Sequence, residues 1–517
     1  MTTKVFYPWF KSEDVDGFFS LFQNNLANFA FLVTFMMING FPMDIISRMV
    51  MGAAIAVAAG NFYYAHMAKK LAEKEGRSDV TALSYGISTP VQFIYMALIT
   101  NATLQATGNH DTAWKVGVAA CMLGGLIECF GGLIGRWVRA NLPRAAMLGA
   151  LAGVAMTFIA GEMYFRTNNL PLIGTISFII IVLTLIAKVK LPFKIPGALA
   201  AIVLGTIGAY ALGYAKVGAV VEAAEQIRFV APLPTLAFLE GFKLLFTDHS
   251  AILALVIPIS VFNFVETMNN VEAVAALGDD YDVREAQFVD GAGTIIGALF
   301  GGILPTTVYI ASVGSKEMNA GRGYSIANGA VFLLAALLGA IVFISRIIPM
   351  SVIAPILVYV GVMMMANAFT KSPAKHAAAV AVAMLPYLAN YINTRFGSVP
   401  EVIAGRVSPA VPFLSHGAMF TALLWGAIVV FLIDKEYMKA TWASLVAALL
   451  AFLGLMHHPR LQLLTTELTK EGATFRTVFL EGMRGQLFLA YITVAITCYI
   501  CYVALKANVD TKKDIAA

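Results

Sequence analysis

Apolar residues come in blocks of about twenty along nearly the whole chain, separated by short polar or charged connections. A helix of that length crosses a hydrocarbon core of ~30 Å. The pattern predicts spans near 18–38, 44–68, 89–105, 114–135, 145–164, 170–188, 196–215, 250–276, 286–303, 308–318, 325–345, 350–370, 376–394, 415–434, 440–457 and 486–505. Two of these blocks are entered differently from the rest. Ser84–Ser88 and Leu304–Thr307 are short, polar, Pro-marked stretches, and the block after Thr307 is too short to cross as a helix. Both stretches are expected to be strands leading into half-helices. Interrupted segments at matching places in two halves of a chain point to a midplane site built on an inverted repeat. Non-helical backbone persists at that depth only where it lines a protein-enclosed cavity.

Composition turns this pattern into a solvent assignment. The chain is 59% hydrophobic and 13% charged, with a mean hydropathy of +0.79, whereas a soluble domain carries about 25% charged residues. The chain is therefore read as an all-α polytopic membrane protein. Residues 1–17 hold Lys4, Lys11 and three acids without an apolar run and cleavage site, so they are not expected to be a signal peptide. With the N-terminus inside, the inward connections collect Lys69, Lys70, Lys74, Arg77, Arg136, Arg139, Arg144, Lys188, Lys190, Lys194, Lys371, Lys375, Lys435, Lys439, Lys512 and Lys513. This positive-inside bias predicts both termini on the cytoplasmic side of the membrane.

The net charge of +5 is scattered and gives no nucleic-acid footprint. Cys498 and Cys501 have C-x-x-C spacing but no second pair, and with Cys121 and Cys129 they read as packing residues. The seven histidines form no metal-protease or similar motif. No enzyme activity, metal or cofactor is expected.

Acids inside the spans carry the candidate chemistry. Glu128, Glu162, Glu266 and Asp290 fall in or near apolar blocks, where no Lys or Arg is central. Four carboxyls without basic partners must bind a cation, take a proton, or be held by hydrogen bonds. Each is thus either a proton or Na⁺ site or a neutral structural carboxyl. Glu266, Asn269 and Asn270 sit at i, i+3 and i+4 and share a helix face. A carboxylate beside two amides suits a planar polar heterocycle better than a bare ion. Asn24 and Asn28 form a similar pair in the first span, open between interhelical glue and substrate contact.

These motifs resemble the nucleobase–ascorbate transporter superfamily (xanthine/uracil permeases), most of all the bacterial purine permeases. The resemblance rests on Gly76–Gly86 through Pro90, the Glu128 span, Glu266–Asn270, Asp290–Gly301 and Pro305–Tyr309, in that order, within roughly residues 20–435. It implies seven-plus-seven segments in two inverted repeats, divided into core and gate, with two half-helices preceded by short strands. Residues 18–215 would be the first repeat, 216–249 an extracytoplasmic loop, and 250–434 the second repeat. Two extra spans (435–505) and a cytoplasmic tail (506–517) follow.

The resemblance further implies symport of a small heterocycle with H⁺ or sometimes Na⁺. Glu266 would be the substrate-binding carboxylate and Asn270, with Asn269, the polar partner. Gly86, Ser88, Thr306, Thr307, Tyr309, Ile310 and Ser312 would line the site, with backbone amides near Gly86 and Ile310 reaching substrate. Glu266, Asp290 and Glu128 are the coupling-ion candidates. Ala311 departs from the family, which carries an acid there, and this leaves the base and the ion open. The extra spans leave a homodimer open as a partner. The alternative is a sulfate- or bicarbonate-type anion carrier of related fold.

Overall fold

The computed structural model describes residues 6–516 apart from 190, 193–196, 216–217, 219–223, 225–228, 276, 310 and 397–405. Among the described residues, seven helices are long and apolar enough to cross a membrane, and five shorter apolar helices accompany them. The chain divides into two compact units. The first is Met1–Trp137, Met163–Phe246 and Ile259–Ile356; the second is Val138–Glu162, Thr247–Pro258 and Leu357–Ala517.

In the first unit, α1 (Asp14–Ile38) and α2 (Met43–Glu75) precede strand β1 (Tyr85–Ile87) and the short helix α3 (Thr89–Phe93). Helix α4 (His110–Asn141) follows and runs past the end of the unit. Later come α5 (Leu253–Ala275), which belongs to this unit from Ile259 onward, α6 (Val283–Leu299), strand β2 (Thr306–Val308), α7 (Ala311–Glu317) and α8 (Gly323–Leu337). Helix α2 stops at Gly76, whose φ of 68° supplies the left-handed C-cap. Small residues bring α2, α4 and α6 together. A Cβ on Gly291 of α6 would lie 2.5 Å from the Cys129 nitrogen of α4, and one on Gly52 would overlap the backbone of Gly297 and Gly302. Close backbone approach through glycine is the usual solution where lipid offers no hydrophobic drive between helices.

The expected strands form and pair. β1 and β2 run antiparallel, with Tyr85 opposite Val308, Gly86 opposite Thr307 and Ile87 opposite Thr306. All six residues are buried.

The second unit packs Arg144–Val154 against Ala377–Met384 and α9 (Ala418–Ile433) through Gly149, Ala383, Gly426 and Ala146. The two apolar blocks after residue 434 are helices, α10 (Tyr437–Leu453) and α11 (Met483–Ala516). Arg484, 2% exposed, pins this hairpin. It donates to the Ala451, Phe452 and Gln462 carbonyls and pairs with Glu467 at 2.8 Å.

Four details differ from the sequence reading. The block at 325–345 is two helices, broken at Gly339 with φ 68°, and 376–394 is two helices meeting at Leu385. Ala237–Phe246, inside the 216–249 connection, is a helix. Glu162 is not without a basic partner, because the helix Pro386–Phe396 carries Arg395 to it and Tyr391 adds a contact at 3.2 Å.

Candidate substrate and coupling-ion site

In a two-stranded antiparallel pair, each strand spends one edge on its partner and leaves the other edge's backbone groups unmet. Here Tyr309 N donates to Ser84 O at 2.8 Å and Ser88 N to Pro305 O at 2.9 Å, which extends the ladder beyond the three-residue register. The carbonyls of Tyr85 and Ile87, and of Thr306 and Val308, are left on the outer edges. Five asparagines meet them. Asn25 and Asn61 donate to Tyr85 O at 3.2 and 3.1 Å, and Asn28 donates to Ile87 O at 3.0 Å. Asn263 donates to Thr306 O at 2.9 Å and Asn270 to Val308 O at 2.8 Å. Backbone groups enclosed at membrane depth need donors from the protein itself, and helices α1, α2 and α5 supply these five. The caps also crowd the strand. A Cβ on Gly86 would overlap Asn25 Oδ1 and the Tyr309 hydroxyl, so a side chain there would displace both groups.

Behind β2 lie two fully buried carboxylates. Glu128 of α4 is 0% exposed and Asp290 of α6 is 1% exposed. Glu128 accepts from Asn263 Nδ2 at 2.8 Å and from Thr294 Oγ1 at 3.0 Å. Thr294, one turn beyond Asp290, also accepts from Thr306 N at 3.1 Å. Asp290 Oδ2 accepts from Thr267, whose hydroxyl lies 2.8 Å from Thr307 Oγ1. Asp290 Oδ1 and Asn263 Oδ1 are buried acceptors with no hydrogen-bond partner. Neither Glu128 nor Asp290 has an ion-pair partner among the described residues. No group of three or more His, Cys, Asp or Glu able to hold a metal occurs among them either.

The other site residues predicted from sequence gather at the same strands. Glu266 is half-buried on α5, three residues after Asn263 and four before Asn270, hence on the strand-facing side of that helix. Asn269 is half-buried and about 100° around the helix from Asn270, away from the row Asn263, Thr267, Asn270. Thr306 Oγ1 receives Tyr85 OH at 2.5 Å. The Tyr309 hydroxyl lies 2.7 Å from Ile87 O and accepts from Asn28 at 3.0 Å. Ser312 Oγ donates to Tyr309 O at 2.7 Å and accepts from Ser84 N at 2.8 Å. These groups are spent on the scaffold. Ser88 differs: its side chain is 0% exposed and its hydroxyl has no partner. Ile310 lies outside the described residues, and Ala311 opens α7, partly buried against the core.

Sequence reasoning does not single out Asn25, Asn61, Asn263, Thr267 or Thr294, and in the first span the partner of Asn28 is Asn25 rather than Asn24. The charged part of the Gly76–Gly86 motif is scaffold as well. Asp279, 0% exposed, holds Arg77 at 2.7 Å, Lys316 at 2.9 Å and Thr81 N at 3.0 Å. This ties the chain entering β1 to the end of α7. The Arg77 guanidinium also keeps the Asp79 carboxyl below its ordinary value.

The permease family of nucleobase–ascorbate transporters matches residues 82–385, from the approach to β1 through the second set of helices. The chain belongs to that family. It is a membrane transporter, and its helices follow the seven-plus-seven inverted-repeat fold. No curated protein matches the permease in sequence. Among solved structures it is similar to the transmembrane domain of the cyanobacterial bicarbonate transporter BicA, with a TM-score of 0.52 and 16% identity over 74% of this chain and 98% of that one. SLC26A9 gives 0.52 and 12% over 83% and 66%. Murine Slc26a9, an anion transporter in the inward-facing state, gives 0.50 and 11% over 82% and 69%. At such identities these likenesses speak to fold alone.

Proposed function

We propose that the permease takes up a neutral nucleobase or similar small heterocycle together with H⁺. Glu266 would receive ring N–H groups, and the Glu128–Asp290 pair would carry the coupling proton. The observation behind this reading is the charge pattern around the strands. Two buried carboxylates without ion-pair partners stand behind β2, and a third carboxylate shares the strand-facing side of α5. Such a wall attracts N–H donors and cations. An anionic substrate ~5 Å from one ionised carboxylate meets about 3 kcal/mol of repulsion even at an effective dielectric of 20. The anion-carrier alternative shares the fold but would need those carboxyls kept neutral throughout.

H⁺ is favoured over Na⁺ because a lone carboxyl oxygen such as Asp290 Oδ1 can hold a proton unaided, whereas a metal ion needs a full set of ligands. Under this reading the positive-inside bias puts both termini in the bacterial cytoplasm. Thermal-shift screening of the purified protein against purines, pyrimidines, ascorbate, sulfate and bicarbonate tests the substrate class. A ligand at a hundredfold its Kd adds about 2.7 kcal/mol of stability. Stabilisation by a nucleobase supports the reading, and stabilisation by the anions alone refutes it.

A further inference from the structure

Away from the strands, the first unit holds a cavity of about 310 Å³ lined by Trp9, Phe62, Ala65, His66, Lys69, Arg322 and Ile326. Its lining contains two permanent cations and a histidine but no acid. Helix α2 supplies most of one wall. Its 33 residues span about 50 Å, more than the ~30 Å hydrocarbon core. Its charged C-terminal turns therefore project from the lipid, while Phe62, 42% exposed, remains an apolar flank. His66 and Lys69 fall at the boundary between the two. Lys69 meets Glu73, one turn on, only in a solvent-exposed pair at 3.7 Å, a contact worth little.

Opposite them, Arg322 is 4% exposed. It is held by Pro8 O and Tyr7 O, each at 3.0 Å, with its guanidinium 4.2 Å from the Trp9 ring centre. It has no ion-pair partner among the described residues. The cavity of about 250 Å³ in the second unit is the contrast. There the lining brings acids of its own, Asp434 beside Lys375 and His376 and Glu436 beside Lys439.

We propose that the cavity of the first unit binds an anionic phospholipid. Lys69, His66 and Arg322 hold the phosphate, and the acyl chain lies along Phe62 and Ile326. A buried guanidinium without an ion-pair partner among the described residues and a loosely paired ammonium beside an apolar wall, at the edge of the bilayer, suit a negatively charged headgroup with its tail. The site is separate from substrate and does not depend on the transport reading above. It bears on the scaffold through the loop beside Arg322. Gly321 N donates to Asp14 at 2.7 Å, and Gly321 O accepts from Ala82 N at 2.8 Å on the chain entering β1. An occupied site braces that junction.

The test uses the full-length protein in phosphatidylcholine vesicles containing phosphatidylglycerol or further phosphatidylcholine with brominated acyl chains. Trp9 is 71% exposed, and subtracting the spectrum of Trp9→Phe isolates its fluorescence. Brominated phosphatidylglycerol should quench Trp9 more than brominated phosphatidylcholine does. The preference should fall about fivefold in Lys69→Gln, the worth of one cation at a membrane surface. As a second readout, phosphatidylglycerol should raise the melting temperature of the wild type more than that of Lys69→Gln. Equal quenching by the two lipids, or a preference untouched by Lys69→Gln, overturns the proposal. So does displacement of the brominated lipid by inorganic phosphate, which would assign the site to a free anion.

Discussion

Replacing Asn263 with leucine removes one donor that serves two buried acceptors. Asn263 Nδ2 lies 2.8 Å from Glu128 Oε1 and 2.9 Å from the Thr306 carbonyl, and the side chain is 0% exposed. Leucine is close to it in size, so the change leaves little cavity and isolates the polar effect. Each orphaned acceptor costs about 1–3 kcal/mol, two together roughly 2–6 kcal/mol, and loss of the partnerless Asn263 Oδ1 returns about 1–3 kcal/mol of that. The Glu128 share is separable. Pairing Asn263→Leu with Glu128→Met removes both partners of one bond, which can be nearly neutral, so the double variant should recover about 1.5–3 kcal/mol of the expected sum. The Thr306 share should persist in both. Unfolding free energies from SDS titration of the purified protein in mixed micelles give the four corners of the cycle. Asn263→Leu within about 0.5 kcal/mol of wild type, the range of an inconsequential surface change, would refute the idea that this asparagine satisfies the strand edge. Strictly additive costs would show that it is not coupled to Glu128.

Three further changes address substrate handling. Gly86→Ala forces a Cβ into Asn25 and Tyr309, so these side chains or β1 must shift, and uptake should be lost while whole-protein expression persists; normal uptake would mean the site tolerates that shift. Glu266→Gln keeps the shape and removes the charge, so uptake should fall by an order of magnitude or more with folding nearly unchanged, since a neutral amide is cheaper to bury. Wild-type uptake in that variant would make Glu266 a structural carboxyl. Ala311→Glu introduces the acid that the family resemblance implies and adds a charge-assisted bond worth about 1.5–3 kcal/mol. Affinity for ordinary nucleobases, measured by calorimetry, should rise roughly ten- to hundredfold. Tight xanthine or uracil binding by the unmodified protein would instead show that Ala311 sets no specificity.

The strands were legible because a polar, Pro-marked interruption of an apolar block survives at membrane depth only as enclosed, non-helical backbone, and two in matching places predict each other. Glu128 and Asp290 were legible for a similar reason: a charge is conspicuous in an apolar run. The capping asparagines were not. A lone Asn in an apolar helix looks the same whether it caps a strand, glues two helices or faces substrate. Choosing Asn25 over Asn24 requires the rotation of the helix, which adjacent residues change by about 100°. Asn263 and Thr267 flank Glu266 on α5, yet nothing in their local sequence marks them as part of a polar row facing β2. The pairing of Glu162 with Arg395 crosses 233 residues of chain and leaves no local trace. The break at Gly339 escapes a hydropathy window, which averages across a single residue in the left-handed region.

Transport of a neutral heterocycle through a carboxylate-lined, proton-coupled site is tested most directly by accumulation of radiolabelled nucleobases in proteoliposomes. The proteoliposomes carry an inward proton gradient in Na⁺-free buffer. Accumulation should collapse on adding a protonophore, be unaffected by imposed Na⁺ gradients, and be lost in Glu266→Gln. Gradient-driven uptake of sulfate or bicarbonate with no accumulation of any nucleobase would contradict a nucleobase–proton symporter.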